Sequence, residues 1–142
     1  MQALYVHLPP GADPPEPPPR PYAAVVLVQA DVSPAWRDEI SRWLVETGCL
    51  YMMAWGRGCG AWDDAVDWAN LEAFDYGPIP EDAFVMTTWH DGGTLDEVFD
   101  FAWHDARDPT QRLETTLILD IRDEPRREVI LANLARAARS RS

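Results

Sequence analysis

Apolar and polar positions along this chain switch between two periods, and the switches mark out its elements. Residues 23–28, AAVVLV, form an unbroken apolar run rich in β-branched side chains, the pattern of a strand buried on both faces. Behind a Ser33 N-cap with Pro34 at the first helical position, the spacing lengthens. Trp36, Ile40, Trp43, Leu44 and Thr47 recur at helical intervals until Gly48 stops the run. The alternation then repeats. Residues 50–55 predict a second strand and 61–74 a second helix, with Trp62, Ala65, Val66 and Ala69 facing inward. Residues 84–89 predict a third strand. The capping box from Thr94 to Glu97 opens a third helix whose stripe is Leu95, Val98, Phe99, Ala102 and Ala106. Residues 115–121 predict the fourth strand, and Asp123-Glu124-Pro125 precedes a last helix facing Ile130, Leu134 and Ala137 inward.

Strand and helix alternating four times predict an α/β fold, a three-layer α/β/α sandwich around a mostly parallel sheet of four to five strands. The wrap is Rossmann-like or flavodoxin-like. Numbering those strands by appearance, the expected order is 2-1-3-4. Residues 1–8 alternate Leu4, Val6 and Leu8 against Tyr5 and His7, which allows one added edge strand. Residues 9–21 hold eight of the thirteen prolines and predict an extended polyproline-II connector. Pro15, Pro18 and Arg20 match a pattern that SH3 domains bind, although a stiff linker accounts for the same prolines. The expected division is an N-terminal arm with connector over 1–21 and a single α/β domain over 22–142.

Charge narrows the function classes. The net charge is −12, and all twelve basic residues are Arg. Without Lys there is no Schiff base and no P-loop lysine. Residues 58–106 carry twelve Asp or Glu and no Arg, whereas 107–142 carry eight Arg against six acids. Such a field argues against nucleic acid and anionic membrane as partners and favours a basic protein. No apolar run approaches the ~18 residues of a membrane span. Cys49 and Cys59 bracket the strand over 50–55, too far apart to bridge, so reduced thiols and a cytoplasmic setting are expected. The doubly wound outline resembles a response-regulator receiver. A receiver needs a Lys at its last strand, so that function is excluded.

Chemistry is expected at the carboxyl ends of the strands, and the stretch from Cys49 to Trp68 is the first place to look. Gly56-Arg57-Gly58-Cys59-Gly60-Ala61 fits a G-x-G-x-x-G/A turn between strand and helix, but Asp63 and Asp64 in the first helical turn would repel a pyrophosphate. Asp31, Gly56, Gly58, Gly60, Trp62 and Thr88 are the candidate ligand-binding residues around that turn. Asp63-Asp64-Ala65-Val66-Asp67 resembles the D-D-x-x-D magnesium–diphosphate motif of prenyl and terpene synthases. Asp63 and Asp67 share a helix face with Asn70, which makes them the candidate ligands of a divalent cation, the one cofactor in view. Cys59 at a helix start, with His90 as base and Asp31 or Asp91 as orienting acid, would make a thiol nucleophile. Ala65 stands where the tyrosine-phosphatase loop requires Arg, which excludes that chemistry. Trp68 and Trp103 sit off the inward stripes of their helices, and Asp100 and His104 lie one turn apart, so these four are the candidate protein-binding residues.

Two functions follow as expectations. The first is a small acidic accessory domain, immunity-like or regulator-like, that engages a basic protein through an acidic face bearing Trp. The alternative is a hydrolase or transferase built on Cys59 and His90.

Overall fold

Residues Tyr22–Val28 and Thr115–Ile121 are buried at every position and form the centre of the molecule. The structure, a computed structural model, describes residues 2–139. Its strands are β1 (Gln2–His7), β2 (Tyr22–Val28), β3 (Cys49–Gly56), β4 (Met86–His90) and β5 (Thr115–Ile121). They make one all-parallel five-stranded sheet in the order β1-β5-β2-β3-β4. Helices α1 (Pro34–Glu46) and α2 (Cys59–Ala73) cover one face, and α3 (Leu95–His104) and α4 (Arg127–Arg139) cover the other. The α/β/α sandwich is therefore the fold. Alternate β2 residues feed the two cores: Ala24, Val26 and Val28 face α1 and α2, while Ala23, Val25 and Leu27 face α3 and α4.

The strand order departs from the expected one. The strand over 115–121 lies on the far side of β2, and the strand over 50–55 stands between β2 and β4. Right-handed crossovers explain this. Helices α1 and α2 carry the chain stepwise from β2 to β3 to β4 on one face; α3 carries it back over the other face to insert β5 between β1 and β2. The composition of β4 agrees with its edge position, because MTTWH is polar and partly exposed where AAVVLV is wholly apolar.

The arm is built into the fold. β1 pairs with β5 in register from Gln2 to His7. The connector lies along α1, where Trp36 Nε1 donates to the Ala12 carbonyl at 2.8 Å and Arg20 Nη2 to the Glu46 carbonyl at 2.8 Å. Pro18 is buried. Local caps act as their chemistry requires: Ser33 Oγ accepts from Trp36 N–H and Thr94 Oγ1 from Glu97 N–H, both at 3.1 Å. β4 begins at Met86, later than expected, because Asn70 satisfies the backbone before it. Asn70 Nδ2 donates to the Ala83 carbonyl at 3.1 Å, and Val85 N–H donates to Asn70 Oδ1 at 2.9 Å.

Candidate functional site

The order of strands places the topological switch between β2, which exits to α1, and β5, which exits to α4 on the opposite face. At their carboxyl ends the backbones stay close: Gln29 N–H donates to the Ile121 carbonyl at 2.9 Å and Arg57 N–H to the Val28 carbonyl at 2.8 Å. Two adjacent cavities of about 340 and 250 Å³ open here and share Val28 and Arg57. The larger is lined by Asp31, Arg37, Gly58 and Trp62 among others, the smaller by Gln29, Gly56 and Arg122. Four of the six candidate ligand residues, Asp31, Gly56, Gly58 and Trp62, thus line this crevice. Gly60 lines neither cavity, and Thr88 hydrogen-bonds His90 on the α3 face instead.

The glycines of the turn have separate reasons. Gly56 has φ +102°, and a Cβ there would sit 2.2 Å from the Val28 carbonyl oxygen, so the β2–β3 approach demands glycine. Gly58 has φ +63° and caps α2. Asp31, almost wholly exposed, pairs with Arg57 Nη1 at 3.6 Å.

The proposed dyad is not assembled. Cys59 begins α2 and belongs to the core under α1 and α2. The His90 ring lies on the other face, edge-on to Phe101 of α3 at 5.0 Å between centroids, with Nε2 2.9 Å from Thr88 Oγ1. The sheet separates thiol from imidazole, because alternate residues of a strand point to opposite faces. The thiol is 2 % exposed, and burial pushes its pKa up, with Asp91 adding to the effect and the Gly60, Cys59 and His90 backbones opposing it. Burial pushes the imidazole down, with Glu97 opposing. A buried protonated thiol facing away from a neutral ring has neither the base nor the charge of a nucleophile. Both cysteines are free, and burial pushes the Cys49 thiol up to about 12.

The acidic pair is brought together but does not form a metal centre. Asp67 accepts from Thr87 Oγ1 at 2.9 Å, and burial raises its pKa, Asp63 and Asp64 pushing the same way. Asp63 is 7 % exposed and its Oδ1 is buried without a hydrogen-bond partner. Among the described residues no group of three His, Cys, Asp or Glu is placed to hold a metal ion.

The four protein-binding candidates divide. Trp68 is 61 % exposed and stacks edge-on with Tyr76 at 6.3 Å. Trp103 is a packing residue, its Nε1 donating to the Leu134 carbonyl at 2.9 Å. His104 Nε2 donates to the Ala137 carbonyl at 3.1 Å and lies 3.8 Å from Asp100 Oδ1, so this pair joins α3 to α4.

Three features escape a reading of the sequence. Trp89, Phe84 and Met86 stand exposed beside Tyr76 and Trp68 in sequence, because β4 is an edge. Arg57 and Arg122 line one cavity of the crevice. Asp120, wholly buried, accepts from the Tyr5 hydroxyl at 2.6 Å and from Arg126 Nη2 at 3.1 Å. The signal for Asp120 was present, a lone acid in the apolar run TTLILDI.

Residues 3–137 match the family described as a domain of unknown function, DUF7684. The chain belongs to this family. No curated protein and no solved structure matches it. The DUF7684 match runs from β1 into α4, so arm, connector and sandwich fall within one family unit. No helix of the described DUF7684 chain is long and apolar enough to cross a membrane.

Proposed function

We propose that this DUF7684 domain is a binding module that engages a basic protein through the face made by α2, β4 and the loop between them. One observation carries the reading. Of the six large apolar side chains exposed among the described residues, Trp68, Tyr76, Phe84, Met86 and Trp89 fall between positions 68 and 89, and only Val129 lies elsewhere. Exposed apolar clusters ringed by polar groups mark interaction surfaces. The stretch that carries these residues is rich in acid, with Asp64, Asp67, Glu72, Asp75, Glu81, Asp82 and Asp91 and no Arg, while Arg37 and Arg42 of α1 line one groove with Trp68. β4, at the end of the sheet, also offers backbone donors and acceptors on its outer side.

Magnitude supports a cluster rather than a single anchor. At their observed exposure, Trp68 and Trp89 each offer roughly 150 Å² to a partner, about 4 kcal/mol apiece. Association costs on the order of 4–15 kcal/mol before any surplus appears. Two tryptophans only balance that cost; Tyr76 and Phe84 supply the remainder, and the acids set partner choice and on-rate.

The test is affinity capture with the wild-type chain from the cells that make it, followed by titration of the purified partner. The expected result is a stoichiometric basic protein whose binding weakens with salt. Trp89→Ala and Trp68→Ala should each weaken it more than tenfold, while Val129→Ala leaves it unchanged. A partner that binds Trp89→Ala and Trp68→Ala as tightly as wild type, or no stoichiometric partner, refutes the reading.

A further inference from the structure

The crevice at the β2–β5 switch concentrates positive charge in a chain whose net charge is −12. Three arginines line it from three elements: Arg37 of α1 and Arg57 of the β3–α2 turn line the larger cavity, and Arg57 with Arg122, just after β5, the smaller. None is fully satisfied. Arg57 is 66 % exposed and meets only the almost fully exposed Asp31, at 3.6 Å. Arg37 pairs with Asp38 at 3.5 Å, yet its Nε is buried with no hydrogen-bond partner. Arg122 makes no ion pair among the described residues, while its backbone carbonyl is held by His7 Nε2–H at 2.7 Å, which fixes the strand end that carries it.

We propose that this crevice binds the phosphate group of a small molecule. Arginine forks suit oxyanions, and Arg57 and Arg122 line one cavity from two elements. A tetrahedral dianion offers such forks more charge and more acceptor oxygens than a carboxylate does. The cavities, about 340 and 250 Å³, leave room for the rest of a metabolite of sugar-phosphate or mononucleotide size. The chain's acidity does not oppose this. Gly58, Ala61 and Trp62 bring the start of the acid-rich stretch to the larger cavity, yet the only acid lining either cavity is Asp31, which Arg37, Arg57 and Arg122 outnumber. Charges more than about 8 Å apart are largely screened at physiological salt. Neither proposal rests on the other.

The experiment titrates inorganic phosphate into the full chain against chloride at matched ionic strength, reading backbone amide shifts and melting temperature. A parallel titration uses succinate. The expected result is saturable shifts confined to the amides near Arg57, Gly58 and Arg122, with a phosphate-dependent rise in melting temperature. Arg57→Gln with Arg122→Gln should weaken phosphate binding at least about tenfold, two charge-assisted contacts being lost. Arg112→Gln, at an exposed arginine before β5, removes one charge outside the crevice and should leave binding unaltered. No saturable shift, an equal response to succinate, or an unchanged affinity in the double variant overturns the proposal.

Discussion

Replacing Asp120 by Asn tests the network that joins both ends of the chain to the sheet. Asp120 is wholly buried at the end of β5 and faces α4. It accepts from the Tyr5 hydroxyl of β1 at 2.6 Å, and Arg126 Nε and Nη2 reach it at 3.1 to 3.3 Å. Arg126 N–H in turn donates to the Tyr5 hydroxyl at 3.0 Å, and the Arg126 carbonyl accepts from Ile130 in the first turn of α4. Removing one partner of a buried ion pair costs about 3–5 kcal/mol, because the other charge is left uncompensated. The Arg126 side chain is 15 % exposed and regains some water, which puts Asp120→Asn near the lower end, about 3 kcal/mol. At roughly 3 °C per kcal/mol for a chain of this length, the melting temperature falls by about 10 °C. Tyr5→Phe keeps the pair and loses one bond to a charged group, about 2 kcal/mol. Asp120→Leu with Arg126→Met should recover much of the loss, as apolar replacement of a buried pair does. Urea and thermal denaturation followed by circular dichroism give all four values. An Asp120→Asn protein within about 1 kcal/mol of wild type would refute the reasoning, since a loss that small is ordinary for an exposed pair.

Three further outcomes follow from local geometry. Gly56→Ala should cost roughly 3 kcal/mol or more and Gly58→Ala about 1 kcal/mol, because only the first places a Cβ against backbone, and an inverted order by urea denaturation counts against this. Iodoacetamide at pH 7 should leave both cysteines of the folded chain unmodified and label both in urea; fast labelling of native Cys59 would contradict its buried, protonated state. His90 has its folded pKa below the unfolded value, so the unfolded chain binds more protons as pH falls through about 6.5. His90 therefore removes stability on acidification, and the wild type should lose more than His90→Gln between pH 7.5 and 5.5; equal losses in parallel melts would contradict the assignment.

Element type was legible because each segment carried one clear period. The buried strands over 22–28 and 115–121 announced themselves by apolar runs, and Ser33 and Thr94 by their capping chemistry. Strand order was not legible, since periodicity reports which face is buried and says nothing of which neighbour does the burying. That one gap displaced the expected site. With β5 placed beside β2, the switch moved from the turn near His90 to the ends of β2 and β5. The thiol and imidazole, adjacent in the expected layout, came to lie on opposite faces. Trp68 was found from its place off the helical stripe, and Trp103 was misjudged by the same rule because α4 packs beside α3 and supplies the Leu134 carbonyl.

The charge pattern acquires its meaning only in space. In sequence, 58–106 is acidic and 107–142 is basic; in the fold, the first segment supplies the β4 edge with α2 and α3, and the second supplies β5 and α4 near the middle of the sheet and the β1 edge. Within one chain, the acid-rich β4 edge and the end of β5 that carries Arg122 are therefore held apart by two intervening strands. Neighbouring strands lie about 4.8 Å apart, so β5 stands about 14 Å from β4, beyond the ~8 Å over which charges act at physiological salt. Neither surface cancels the other, and a net charge of −12 describes neither of them. A basic partner on the outer side of β4 and an anion beside the end of β5 would be separated by β2 and β3, the two largely buried strands between them.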